Sequence, residues 1–168
     1  MKKKNALWAL LPLGIVALDQ AVKLWAGQTL RKVETLPVIE GVFHLTYARN
    51  TGAAFSLLRG GRWFFVALTA GMLALLLWAL LRGWVRGAVG RTAVLFIMGG
   101  AVGNLIDRVR FGYVVDLFDF RLIHFAIFNV ADSFITVGGI LLGVWILFLE
   151  PGERRGDHGD GNKPEGSV

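Results

Sequence analysis

Four long apolar runs alternate with polar and charged segments along the chain, and their lengths predict membrane-spanning helices. The first extends from Ala6 to about Ala26 and is interrupted by Asp19 and Lys23. The second, Trp63 to Leu81, holds no ionisable side chain. A third covers about Thr92 to Ile106, and a fourth Val130 to Leu149. A helix needs roughly 20 residues to cross the hydrocarbon, with about 17 as a lower limit. The third run is short, so it borrows flanking residues or crosses with little tilt. Pro12 is compatible with the first span, because neighbouring helices satisfy a carbonyl freed in lipid. The expected fold is an all-α membrane protein with four transmembrane helices, one domain over residues 1–150.

Two connections, 27–62 and 107–129, fall on the same membrane face. The first is long for a hairpin loop. Its stretch from Lys32 to Tyr47 is rich in β-branched and aromatic residues, with breaks at Pro37 and Gly41. That pattern predicts short strands forming a small sheet on the membrane surface. The Arg82–Arg91 connection is short and basic, and residues 151–168 form a charged, glycine-rich tail expected to be disordered and cytoplasmic. Lys2, Lys3 and Lys4 followed by an apolar run also suit a cleavable signal peptide. The run continues past Asp19 and Lys23, and three more spans follow, so a first transmembrane helix is expected instead. Gly99 with Gly103, and Gly139 with Gly143, are each four apart and are expected to let helices approach closely.

Composition agrees with the pattern. Hydrophobic residues make up 55% of the 168 and charged residues 18%, too apolar for a soluble domain that must cover its surface. Cysteine is absent, which excludes disulfides, thiolate metal sites and a cysteine nucleophile. The net charge of +6 comes from basic loops beside the apolar runs. Membrane lipids with anionic headgroups suit that charge better than nucleic acid, for which no aromatic-plus-basic pattern exists. Basic residues nearly balance between the two faces, so charge orients the chain weakly. The triple lysine and the compact Arg82–Arg91 loop favour cytoplasmic termini.

Topology gathers the ionisable residues whichever side is out. Helix one ends, helix two begins, helix three ends and helix four begins at one face. Asp19, Lys23, Asn50, Asn104, Asp107, Arg108, Asp116, Asn129 and Asp132 all collect there. An ionisable residue within a span is costly and marks function by default. Asp19 and Lys23, four apart, share a helix face and pair, or Lys23 snorkels outward. Asn50 either offers its amide to a peptide or holds a turn in Asn50-Thr-Gly-Ala-Ala-Phe55. Asp107 and Arg108 suit a helix-end anchor, whereas Asn104 lies deeper. Two carboxylates in a partly dry site repel, so one keeps a proton and the pair can serve as acid and base. Spacing leaves Asp116, Asp119 and Asp132 all available, with Asp119 equally a solvated loop residue. No HExxH motif is present, and His44, His124 and His158 lack ligand spacing. Ser56 or Ser133 with Lys23 as base is a weaker alternative.

Taken together, Asp19-Gln-Ala-Val-Lys23, Asn50-Thr-Gly-Ala-Ala-Phe55, Gly99-Gly-Ala-Val-Gly-Asn104-Leu-Ile-Asp107-Arg108, Tyr113-Val-Val-Asp116 and Phe128-Asn129-Val-Ala-Asp132-Ser133 resemble the bacterial lipoprotein signal peptidases, signal peptidase II. The resemblance implies an intramembrane aspartic endopeptidase of the bacterial cytoplasmic (inner) membrane, inhibited by globomycin and needing neither metal nor cofactor. It implies a multi-pass protein whose active site faces the extracytoplasmic side, which makes the small sheet extracytoplasmic; a monomer is expected. The implied substrate is a diacylglyceryl-modified prolipoprotein, cut just before the lipidated cysteine. Asp116 and Asp132 match the catalytic pair. Asp19, Lys23, Asn50, Asn104, Arg108 and Asn129 match positions that shape or line the site and bind substrate. Two rival readings are a small transporter relaying protons through Asp19, Lys23 and Asp132, and a non-catalytic scaffold.

Overall fold

A computed structural model describes residues 2–52 and 61–149, with side chains from Trp8 onward. Four helices are long and apolar enough to cross a membrane. They are α1 (Lys2–Val33), α2 (Arg62–Leu81), α3 (Gly87–Phe111) and α4 (Val130–Val144), the last continued by a π-helical turn at Trp145–Leu149. Three strands, β1 (Thr35–Ile39), β2 (Phe43–Asn50) and β3 (Val114–Phe120), form an antiparallel sheet in the order β1-β2-β3. The expected helices and surface strands are therefore present. Ala53 to Phe55, Ser56, Arg59 and the 151–168 tail lie outside the described residues.

Helix lengths differ from expectation at the site's face. α1 runs to Val33, so the connection begins later than residue 27. α3 is 25 residues long and reaches Phe111, where Gly112 closes it at φ 80°. That left-handed geometry favours glycine, which has no Cβ to clash. α1 passes through Pro12 unbroken. α2 buries none of its residues against the protein, as befits a helix apolar all round with lipid for solvent.

Close approach of the helices rests on absent side chains. A Cβ at Gly99 would lie 2.9 Å from Ile15, one at Gly100 2.3 Å from the Ala131 carbonyl, and one at Gly103 2.5 Å from Asp19 Oδ2. The expected Gly99 and Gly103 contacts are thus real. The expected Gly139 and Gly143 contacts are not: a Cβ at either meets nothing within 4 Å. Gly138, one residue away, is the one packed on α3, 2.8 Å from the Ala93 carbonyl.

β3 is the strand the sequence pattern did not announce. It lies on the C-terminal part of α1, where Ala26 and Leu30 pack with Val115 and Leu117. Phe128 then pairs antiparallel with Phe118, the Leu117 and Phe118 N–H groups both donating to its carbonyl at 3.0 and 2.8 Å. This pairing brings the start of α4 back alongside β3.

Candidate active site

The site grows from the first turn of α4. Asn129 is its N-cap: Oδ1 accepts from the Asp132 N–H at 2.9 Å, while Asp132 Oδ2 accepts from the Asn129 N–H at 3.2 Å. This reciprocal pair is a capping box, with aspartate in place of the usual glutamate. Because Phe128 is paired to β3, the same Asn129 reaches Asp116. Its Nδ2 donates to Asp116 Oδ1 at 2.6 Å and to Asn104 Oδ1 at 3.2 Å. Asn104 Nδ2 donates to Asp132 Oδ1 at 2.7 Å. One buried asparagine therefore binds both carboxylates, and a second braces the arrangement.

Beneath this pair lies a buried ionic cluster. Lys23 Nζ donates to Asp19 at 2.9 Å, Asp107 at 3.1 Å and Asn104 Oδ1 at 2.8 Å. All three ammonium protons are placed, and the Lys23 side chain is 4% exposed, so it turns inward rather than snorkelling. An ammonium has no acceptor, which fixes the Asn104 carbonyl toward Lys23 and its NH2 toward Asp132. Asp19 Oδ1 accepts from the Ala131 N–H at 2.9 Å, satisfying another orphan donor at the α4 N-terminus. Asp107 Oδ2 accepts from the Val115 N–H at 3.1 Å and bolts β3 to α3. Gln20, which spacing did not single out, donates to Asp19, the Gly103 carbonyl and Asp107 at 3.1–3.2 Å. Its place immediately after Asp19 was the available signal.

Asn50 holds the turn considered for it, and its amide is directed at a carboxylate. Its Nδ2 donates to Asp116 Oδ2 at 3.0 Å, and its Oδ1 accepts from the Gly52 N–H at 3.2 Å, an Asx-type turn. Arg108 stands apart from these bonds. Its guanidinium lies over the Phe65 ring at 5.4 Å, yet its charge acts on Asp132, Asp116 and Asp107.

Burial raises the Asp116 carboxyl from its ordinary value to about 6, and repulsion from Asp132 adds to this. The Asn50 and Asn129 hydrogen bonds and the Lys23 charge pull against it. Asp119 is held by other partners. It faces His44 across β2 and is 8% exposed, so it is no solvated loop residue. Burial pushes its carboxyl up, but hydrogen bonds from Arg121 and Thr46 outweigh this and leave it below its ordinary value. Arg121 Nε sits 2.9 Å and Thr46 Oγ1 2.8 Å from Asp119 Oδ2, a structural ion pair at the end of β3. Ser133 Oγ donates to the Asn129 carbonyl at 3.0 Å. It is a helix-start hydroxyl rather than a nucleophile beside Lys23.

The profile of the family described as signal peptidase (SPase) II matches residues 11–148. A lipoprotein signal peptidase of Clostridioides difficile is 44% identical over 150 residues, covering 88% of this chain and 99% of that protein. One of Brevibacillus brevis is 50% identical over 129 residues, covering 76% and 87%. A bacterial membrane enzyme solved by the in meso method at 2.3 Å resolution superposes with a TM-score of 0.77. It is 30% identical, covering 96% of this chain and 95% of that one. A second, at 1.9 Å, gives 0.77 at 32% identity, covering 86% and 94%.

Proposed function

Since the chain belongs to the signal peptidase II family of aspartic endopeptidases, we propose that it removes signal peptides from diacylglyceryl-modified prolipoproteins, cutting before the lipidated cysteine through Asp116 and Asp132. The observation that carries this reading is the binding of both carboxylates by Asn129, at 2.6 and 3.2 Å, where α3, α4 and β3 converge. Like charges held this close share a proton near neutral pH. Burial and repulsion bring the Asp116 carboxyl to about 6, so the pair holds a proton closer to the working range than an ordinary carboxyl would.

The ionised partner takes a proton from water, whose oxygen attacks the scissile carbonyl carbon. The protonated partner then gives its proton to the departing amine nitrogen as the carbon–nitrogen bond breaks. Asn50 and Arg108 are the donors facing the site that suit the substrate backbone or the developing oxyanion. Asp19, Lys23, Asn104 and Asp107 hold the pair from behind. A diacylated cysteine keeps its chains in lipid, so the scissile bond is presented at the depth of the α4 N-terminus and the search is confined to two dimensions. We place the enzyme in the bacterial cytoplasmic membrane as a monomer with this face outward. A proton relay needs polar groups across the bilayer, and residues 63–81 and 133–149 contain no ionisable side chain.

The test is cleavage of a purified diacylglyceryl-modified prolipoprotein by the parent, Asp116→Asn and Asp132→Asn, with globomycin as a control. Each variant is expected to lose about 100- to 10,000-fold in rate, the contribution of an acid–base group. Parent-like cleavage by either variant overturns the assignment.

A further inference from the structure

A cavity of about 540 Å³ adjoins the ionic cluster, with Lys23 and Asp107 in its lining. None of Asn50, Asn104, Asp116, Asn129 or Asp132 lines it. Its walls come from the outer turns of α1 and α3 and from the base of the sheet, including Gln20, Leu24, Arg31, Tyr47, Arg110 and Phe111.

The walls are amphipathic along the direction in which the spans leave the membrane. Leu24 is 63% and Phe111 48% exposed, on helices apolar enough to cross lipid. Arg31 lies in the last turn of α1 and Arg110 in the last turn of α3. Three cations, Lys23, Arg31 and Arg110, line the cavity against one carboxylate, Asp107. Lys23 is already neutralised by Asp19 and Asp107. Among the described residues, no ion pair engages Arg31 or Arg110. Two guanidinium groups without an ion-pair partner, that of Arg110 lying over the Phe111 ring at 5.2 Å, thus stand over an apolar slot at the bilayer boundary. A lone phosphate would leave that slot empty, and a peptide carboxylate would not fill it with chains.

We propose that this cavity binds an anionic glycerophospholipid of the adjoining leaflet, its phosphate between Arg31 and Arg110 and its chains along Leu24 and Phe111. Helix-end dipoles favour cations here in any case, but they do not explain a cavity between the two arginines. Guanidinium is the group suited to phosphate oxygens. The site goes beyond the peptidase reading and does not depend on it. A lipid seated there would brace the base of the sheet against α1 and α3.

The test titrates phosphatidylglycerol or phosphatidylcholine into the full chain in detergent micelles, reading thermal stability and, by native mass spectrometry, retained lipid. Two cations near a headgroup predict about a thirty-fold preference for phosphatidylglycerol. Arg31→Gln/Arg110→Gln is expected to bring the preference within about threefold, while leaving cleavage in phosphatidylcholine at the parent rate. Arg82→Gln/Arg91→Gln removes the same charge from the opposite face and is expected to keep the preference. If both double variants lose it equally, the effect is diffuse electrostatics and the site is wrong. If inorganic phosphate stabilises the parent as strongly as the lipid does, the cavity takes a free anion and the lipid assignment falls. Should the double variant fail to fold, either single arginine substitution is expected to cost about fivefold, and no loss in either refutes the proposal.

Discussion

Replacing Asn129 by alanine tests the idea that one residue builds the α4 terminus and sets the carboxylate pair. The substitution removes the cap acceptor for the Asp132 N–H and two donated bonds, to Asp116 and Asn104. Loss of a cap costs about 1 kcal/mol. Loss of a bond to a buried charged acceptor costs about 1.5–3 kcal/mol, and the neutral bond to Asn104 about 1 kcal/mol. The sum is roughly 4 kcal/mol, below the stability of a typical domain, so a folded but weakened enzyme is expected. A displacement of about 1 Å in the pair costs on the order of 100-fold in rate. The pH profile separates this account from general loosening. Asn129 is one of the groups holding the Asp116 carboxyl down against burial and Asp132, so its removal moves that carboxyl above about 6. The alkaline limb of kcat/KM therefore shifts upward. Loosening that admitted water would shift it toward 3.8, the ordinary value. Detergent-solubilised Asn129→Ala assayed across pH, alongside thermal unfolding, decides the matter. A rate within threefold of the parent, or a downward shift, refutes the reasoning.

Further outcomes follow from the same geometry. Gly100→Ala and Gly103→Ala, whose methyls meet the Ala131 carbonyl and Asp19 Oδ2, are expected to lower thermal stability and abolish cleavage. Gly139→Ala and Gly143→Ala, which meet nothing, should match the parent in both. Lys23→Met leaves Asp19 and Asp107 buried without their cation and is expected to cost about 3–5 kcal/mol, measured by denaturant unfolding. Adding Asp19→Asn and Asp107→Asn should restore much of that stability without restoring full activity. Asp116 binds its proton more tightly folded than unfolded, so its contribution is fully present below pH 3.8 and is lost as pH rises through about 6. The change is about 3 kcal/mol. Asp119, held below its ordinary value, contributes with the opposite sign, stabilising above that value and less as pH falls. Unfolding of Asp116→Asn across this range should show the first dependence gone and the second retained.

Hydrophobic run length by itself determined the four spans, because a helix in lipid must satisfy its own backbone over about 20 residues. Parity of the crossings then gathered Asp19, Asn104, Asp107, Asp116 and Asp132 at one face without any orientation. The i,i+4 pairing of Asp19 and Lys23 was legible for the same local reason. The capping box of Asn129 and Asp132 came to light only with the structure, although the two stand three apart before an apolar run. What turned Lys23 inward was not local: three acceptors from α1 and α3 surround its ammonium. β3 was hidden because Asp116 and Asp119, three apart, break the two-residue alternation by which a half-buried strand is recognised. Both are nevertheless buried, Asp116 at the convergence of α3 and α4 and Asp119 in the ion pair with Arg121. Glycine spacing likewise specified which residues share a helix face, but not which face meets a neighbour, so Gly138 packs and Gly139 does not. The motif resemblance already matched Asp116 rather than Asp119 with Asp132, but how the two are brought together depends on the antiparallel return of Phe128 along β3. That contact between segments ten residues apart places Asn129 between the two carboxylates, and tertiary structure alone supplies it.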